Sequence, residues 1–369
     1  MPAIADTCRP PTRSRGRNWR PWSHRRLELL TESAAELRGQ VYDKEVAGFT
    51  LGGGNGYLAR KHGLASDNLL AADVVTAAGH LLRASESENS DLFWALRGGS
   101  GNFGIVTAFE FQLHELDPQV LAGQIIHPFE SARDVLRLYR AFMAEAPDEV
   151  QCYAFLIRIP PLPVFPHQYH GRVAVDLVAA YLGDIAEGEK ILAPLRRFGR
   201  PILDGVVPQA YKTLQQTFDA GVPVGNRWYS KAHYFNDLTD PAIDQILDQV
   251  EQLPGEFTMV YLDAPGGAAS RVDPAATAFP HRDAAFGLHI LPGWSEPAQD
   301  DPMIEWARGF HRLMAPYASG WAYVNLLGGD EKDGPRSAYG SNLARLAEIK
   351  RKYDPENLLR MNHNIAPRR

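Results

Sequence analysis

Residues Gly48–Leu69 read GFTLGGGNGYLARKHGLASDNL: an apolar step, three consecutive glycines, then a basic segment carrying one tyrosine. Glycine has no Cβ, so such a run marks backbone that another group must approach closely. What lies against it is decided by the sequence around it. Just downstream, NLLAADVVTAAGHLLRAS predicts two short strands joined at Ala78-Gly79, because β-branched residues and leucines flank a glycine turn. NSDLFWALRG has the capping residue and apolar spacing of a short helix. GIVTAFEFQLHEL alternates through Val106, Phe109, Phe111 and Leu113, which predicts a strand with one buried face. Between that helix and that strand, Gly99, Gly101 and Gly104 spell G-x-G-x-x-G. A dinucleotide phosphate loop of that pattern leaves a strand and opens a helix, and here the order is reversed, so NAD binding is rejected.

The composition sets limits on the rest. At 369 residues the chain is long enough for a large core and two domains. A formal net charge of -6 with 45% hydrophobic residues argues against nucleic acid as a partner and for a small-molecule substrate. No apolar run reaches bilayer length, so no membrane span is expected. Two cysteines, Cys8 and Cys152, lack the spacing of a disulfide framework or a zinc site; no metal is expected, and a cytoplasmic location is. Residues 1–45 stand apart. CRPPTRSRGRNWRPWSHRRLELL is rich in Arg and Pro without periodicity, and the apolar stretch after Arg25-Arg26 is too short for an export signal, so a poorly ordered segment is expected.

The middle of the chain alternates strands and helices. Helical spacing occurs in SARDVLRLYRAFMAEAP, DPAIDQILDQVEQLP and DPMIEWARGFHRLMAPYA, and strand-like runs in QCYAFLIRI, RVAVDLVAAYLG, FTMVYLDA, AFGLHILPGW and WAYVNLL. This order suits an α+β arrangement, helices covering an antiparallel sheet. SNLARLAEIKRKYDPENLL predicts a final helix that ends before Pro355.

Four blocks, VAGFTLGGGNGYLARKHGLASDNLLAADVVTA, ENSDLFWALRGGSGNFGIVTAFEFQLHEL, TAFPHRDAAF and KRKYDPENLLRMNHNIAP, together resemble the berberine bridge enzyme-like branch of the FAD-linked oxidoreductases, which have a PCMH-type, vanillyl-alcohol oxidase-like FAD domain. The resemblance runs in order from about Val46 to Pro367. It implies a partial FAD-binding domain at 46–116, a substrate domain at 117–330, and a C-terminal helix and tail at 331–369 that return to the FAD domain. By the same resemblance Gly52, Gly53, Gly54 and Gly56 pass beside the dinucleotide. Asn102, Phe103, Gly104, Ile105 and Val106 line its adenine end, and Asn362 and Asn364 approach the flavin. Backbone N–H groups in a glycine run suit a pyrophosphate.

The departures from the family pattern are as informative. The family's glycine-rich R-G-G-G-H stretch, which carries the flavin-bonding histidine, has no counterpart here. His24 in WSHRR offers no match, Val41 stands near the position of a second, cysteinyl attachment, and VYDKEVAG puts acids where phosphate is approached. The resemblance therefore implies FAD held weakly and without a covalent bond, in a chain lacking the first FAD subdomain. In WAYVNLLGGD, Tyr323 and Asn325 match the family's Y-x-N element and Tyr323 is the candidate base, while Leu326 replaces a second tyrosine. Lys231 and His281 receive no catalytic role.

The expected activity is hydride transfer from a hydroxyl- or amine-bearing small molecule, such as a secondary metabolite or a sugar, to FAD, with oxygen as the acceptor. The alternative is a non-redox relative that only binds a small molecule or is inactive. Strands left uncovered by the lost subdomain predict self-association, although LELLTESAAELRGQV could supply a short covering helix.

Overall fold

The computed structural model describes residues 46–222, 225–328, 334–360 and 363–367. The expectations for residues 1–45 and for Asn362 lie outside the described residues.

The hairpin and the strand after it form a three-stranded antiparallel sheet. β1 (Leu69–Val75) lies between β2 (Leu81–Ser85) and β3 (Ile105–Phe111), and Gly79 turns the hairpin at φ 79°. Alternation sends Ala72, Val74 and Ala84 inward, against the helix Ser90–Leu96 and the C-terminal helix Leu343–Tyr353. Ala278, Ala322, Val324 and Leu327 join the same cluster, so a much later part of the chain packs on this sheet. On the other face Leu81 and Ile105 both pair with Val75 and are 66% and 63% exposed, while Arg83 bridges Asp73 and Glu110.

The second sheet is larger. β4 (Gln119–Pro128), β5 (Val150–Arg158), β6 (Val173–Tyr181), β7 (Leu203–Asp204) and β8 (Val207–Ala210) precede a small pairing of β9 (Arg227–Trp228) with Gly293–Trp294. Then come β10 (Lys231–Phe235), β11 (Met259–Asp263) and β12 (Phe286–Leu291), giving the order β10-β12-β11-β5-β6-β4-β7, with β8 also on β4. Every residue of β6 is buried, which explains its unbroken apolar run. Helices Ala132–Glu145, Ile185–Arg196, Asp240–Val250 and Asp300–Met314 cover one face around Leu136, Tyr139, Ile246 and Phe310. Asp184 and Thr239 cap two of them by accepting from Glu187 N and Ala242 N. The other sheet face turns toward Tyr57, Leu58 and the short helix Tyr211–Gln215.

The α+β expectation of a helix-covered antiparallel sheet beside a smaller FAD-type unit holds. One strand does not. Trp321–Leu327 is extended chain leading into a 3-10 turn at Val324–Leu326, with Tyr234 N of β10 donating to Trp321 O at 3.0 Å. Two elements also escape the sequence pattern. Ile185–Arg196 carries Gly188 and Pro194 inside, and Gly188 is there because a Cβ would lie 2.7 Å from the Tyr181 ring. β4 is interrupted by Gly123, where a Cβ would meet Gly205 O at 2.1 Å.

Candidate functional site

The glycine run sits where the two units meet, and protein fills the space its missing side chains leave. A Cβ on Gly52 would fall 1.8 Å from Asn325 Oδ1, one on Gly53 2.9 Å from the Phe279 ring, and one on Gly54 2.4 Å from Ala65 Cβ. Gly53 and Gly54 have φ +118° and +84°, a conformation glycine reaches without strain. The N–H groups of the run are also committed: Gly52 to Gly48 O, Gly53 to Thr50 O, and Gly54 and Asn55 to the Tyr323 hydroxyl at 2.9 and 3.2 Å. The run therefore packs against the returning Y-x-N segment, and its backbone donors from Gly52 to Asn55 are not left for a phosphate. Gly52→Ala should displace Asn325 from Phe49 O and cost about 1–3 kcal/mol. Denaturant unfolding checks this, and a change under about 0.5 kcal/mol would contradict the packing role.

Tyr323 is buried, and its hydroxyl oxygen accepts from Gly54 N, Asn55 N and, at 2.9 Å, Asn325 Nδ2. Burial pushes its phenol up to about 12 despite these donors. A phenol so hard to ionise is a poor proton acceptor near neutrality. The geometry makes Tyr323 a latch for the glycine loop.

The loop also leads to a buried polar pair. Asn55 Nδ2 donates to Asp263 Oδ2 at 2.6 Å, and Asp263 Oδ1 lies 2.9 Å from His289 Nε2, both residues being buried. β11 and β12 bring them together: His289 pairs with Tyr261 and Asp263 with Gly287, on the sheet face away from the covering helices. Gly287 keeps the space open, since a Cβ there would meet Asp263 Oδ1 at 2.1 Å. Tyr261 stacks on His289 with ring centroids 4.4 Å apart. Nδ1 of His289 is buried without a partner among the described residues. A lone His and a lone Asp on alternating strands carry no signal in a single sequence, and nothing read there pointed to this pair.

The other candidate residues are accounted for as follows. Asn102 is fully buried; its Nδ2 donates to Gly99 O and His363 O, and its Oδ1 accepts from Ile365 N, stapling the tail to the small sheet. Phe103 is in the core, and Gly104 lies where a Cβ would meet Val74 Cγ1 at 2.2 Å. Val106 packs inward and Ile105 faces out. Gly56 is buried and Asn364 half-buried. Arg282 of TAFPHRDAAF makes a buried bidentate pair with Asp67, both bonds 2.7 Å, tying the segment after the glycine run to the chain between β11 and β12. His281 is held by Ala338 O and stacks on Trp321. Lys231 is buried beside the Tyr229 ring. Among the described residues no cluster of three or more His, Cys, Asp or Glu could hold a metal, and no helix is long and apolar enough to cross a membrane.

Residues 322–366, which contain the Tyr323 latch and the Lys350 helix, match the profile of the "Berberine and berberine like" family. The chain is 32% identical over 330 residues to the FAD-linked oxidoreductase YvdP of Bacillus subtilis (strain 168), covering 88% of this chain and 71% of that one. The chain belongs to the berberine bridge enzyme-like FAD-linked oxidoreductases. It is also 31% identical to (R)-6-hydroxynicotine oxidase of Paenarthrobacter nicotinovorans, over 92% of this chain and 75% of that protein. Among solved structures, 6-hydroxy-D-nicotine oxidase from Arthrobacter nicotinovorans superposes with a TM-score of 0.79 at 28% identity, covering 92% and 76% of the two chains. A chitooligosaccharide oxidase superposes at 0.77 and 27%, covering 93% and 76%.

Buried polar atoms without protein partners are where this berberine bridge enzyme-like chain could hold FAD. Thr50 Oγ1 and Ser66 Oγ flank the glycine run, and His363 Nδ1 and Asn364 Oδ1 lie on the returning tail; none has a partner among the described residues. Buried polar groups are normally satisfied, and a polar nucleotide cofactor would satisfy these. Their chemistry fits the family's cofactor.

Proposed function

We propose that this FAD-linked oxidoreductase oxidises a hydroxyl- or amine-bearing small molecule, such as a secondary metabolite, and that His289 takes the proton. The observation that carries the reading is the buried Asn55–Asp263–His289 chain with an unpartnered ring nitrogen at its end. Bonding of Nε2–H to the Asp263 carboxylate fixes the tautomer, which leaves the Nδ1 lone pair as acceptor. As Nδ1 receives the proton from the substrate O–H or N–H, the adjacent carboxylate stabilises the imidazolium. Asn55 holds the second carboxylate oxygen and prevents Asp263 from turning away. FAD, when bound, supplies the acceptor for the hydride leaving the substrate carbon, so that one bond to hydrogen breaks at carbon and one at oxygen or nitrogen. Oxygen would restore the cofactor. Relatives named as xylooligosaccharide, chitooligosaccharide and (R)-6-hydroxynicotine oxidases support a small polar substrate.

Anaerobic mixing of the FAD-loaded protein with xylobiose, chitobiose and 6-hydroxynicotine tests the reading. Loss of the oxidised-flavin absorbance with one of them is expected; binding of these compounds without any flavin reduction would favour a binding-only relative. We also propose that the described residues hold the cofactor without a covalent bond, although a glucooligosaccharide oxidase among the structural neighbours is titled with a cysteinyl and histidyl FAD. Acid precipitation should leave all flavin in the supernatant. Yellow colour retained in the washed pellet would overturn it.

A further inference from the structure

A second polar group lies in line with His289 on the same sheet face. The register runs directly across four strands: His289 of β12 opposes Tyr261 of β11, Tyr261 opposes Phe155 of β5, and Phe155 opposes Asp176 of β6. Tyr261 stacks between His289 at 4.4 Å and Phe155 at 4.9 Å, so aromatic rings connect the two ends. With neighbouring strands ~4.8 Å apart, three spacings put Asp176 about 14 Å from His289.

Asp176 is fully buried and unusual in its company. Gln124 Nε2 is its hydrogen-bond partner on one oxygen, and Oδ1 has none among the described residues. Burial pushes its carboxyl up to about 7, with only the Gln124 hydrogen bond opposing. No lysine, arginine or histidine is among the groups acting on it. The elements packed around it add Tyr57, whose phenol is raised by burial and by Asp176 itself. The Tyr57 hydroxyl is also buried, without a partner among the described residues. A buried carboxylate is normally matched by a cation, and this one lacks its counter-charge while aromatic rings stand beside it.

We propose that Asp176 is a specificity-determining residue that binds an ammonium group of the substrate, at the end of the row remote from His289. The ammonium supplies the missing charge and donors for the free carboxylate oxygen, and the carbon skeleton runs along the edges of the stacked Tyr261 and Phe155 rings between the two ends. This deepens the proposed function and rests on it for the placement of the reacting group at His289.

The test is calorimetric binding of tyramine and tyrosol to the full chain, two probes that differ only in carrying an ammonium or a hydroxyl. Tyramine should bind at least tenfold more tightly, and Asp176→Asn should remove that preference while leaving tyrosol affinity unchanged. A melting curve and circular dichroism spectrum establish that the near-isosteric variant is folded; Asp176→Leu, which deletes the acceptor but keeps an apolar filling, should behave the same way. Equal affinity for the two probes, absence of binding by both, or an undiminished tyramine preference in the variants would overturn the proposal, as would an internal water that satisfies Oδ1 and leaves neither probe favoured. Because the readout is binding, it is independent of flavin reduction. Tyramine preference without any oxidation would sink the proposed function alone, and oxidation of neutral substrates without this preference would sink the ammonium site alone.

Discussion

His289→Asn should slow substrate-driven flavin reduction by about 10²–10⁴-fold, the usual contribution of a positioned proton acceptor. Asparagine can keep a polar contact with Asp263 but offers no basic lone pair. Substrate affinity should change little, so the loss should fall on the rate at saturation. Asp263→Asn tests the same arrangement one step back. The His289 Nε2–H would lose its anionic acceptor, which now lies at 2.9 Å, and the imidazolium its neighbour, so the rate should fall and the pH profile should move. Asp263 is a positioning residue, and a merely structural role would not shift that profile. Tyr323→Phe is the contrasting variant. It leaves Gly54 N and Asn55 N without an acceptor and should lower stability, with a rate loss well below that of His289→Asn. The reverse ranking, a large rate loss at Tyr323 with normal turnover at His289, would return the role of base to the tyrosine.

Lys350→Met should destabilise the fold by about 3–5 kcal/mol, the cost of leaving one member of a buried ion pair alone. Lys350 Nζ is fully enclosed and donates to Asp354 Oδ2 at 2.6 Å, Asn102 O at 2.7 Å and Leu359 O at 2.8 Å. Asp354 in turn accepts from Leu358 N and Leu359 N, both at 2.8 Å. One ammonium thus joins the C-terminal helix, the chain after it and the Gly-rich segment before β3. Methionine fills the volume but leaves the Asp354 carboxylate without its cation. The measurement is chemical denaturation at neutral pH, read through the Asn102 side of the small sheet as well as globally. A Lys350→Met, Asp354→Leu double variant should recover part of the loss, since removing both charges is cheaper than stranding one. A single-variant change below about 1 kcal/mol would show that water reaches the pair.

The local pattern of the chain carried much of this architecture. The hairpin around Gly79, the helix at Ser90–Leu96 and the inward side of β3 follow from turn chemistry and period-two alternation, which depend on neighbours in sequence. Leu113 marks a limit: the alternation ran past Phe111, but the strand ends there and Leu113 is exposed. WAYVNLL alternates like a strand yet forms a 3-10 turn, because the Tyr323 side chain is held by the glycine loop instead of by a sheet neighbour.

Family membership was legible because four ordered blocks carry it, and the glycine run was rightly singled out as backbone under close approach. What approaches it was not legible. Asn325, Phe279, Ala65 and the Tyr323 hydroxyl come from segments more than two hundred residues downstream or from the next turn of chain, and only folding brings them there. The Asn55–Asp263–His289 chain is the same case: strand register sets Asp263 and His289 side by side, and register is a property of paired strands. Asp176 looked like an ordinary acid within an apolar run, and only its position across the sheet from Phe155 shows a buried carboxylate without a cation. By itself the sequence determined the elements, the family and the places where side chains are forbidden, since these depend on local sterics and periodicity. Which titratable groups meet, and which are left without partners, was decided by the tertiary structure, because charge pairing and desolvation depend on distances that no linear spacing contains.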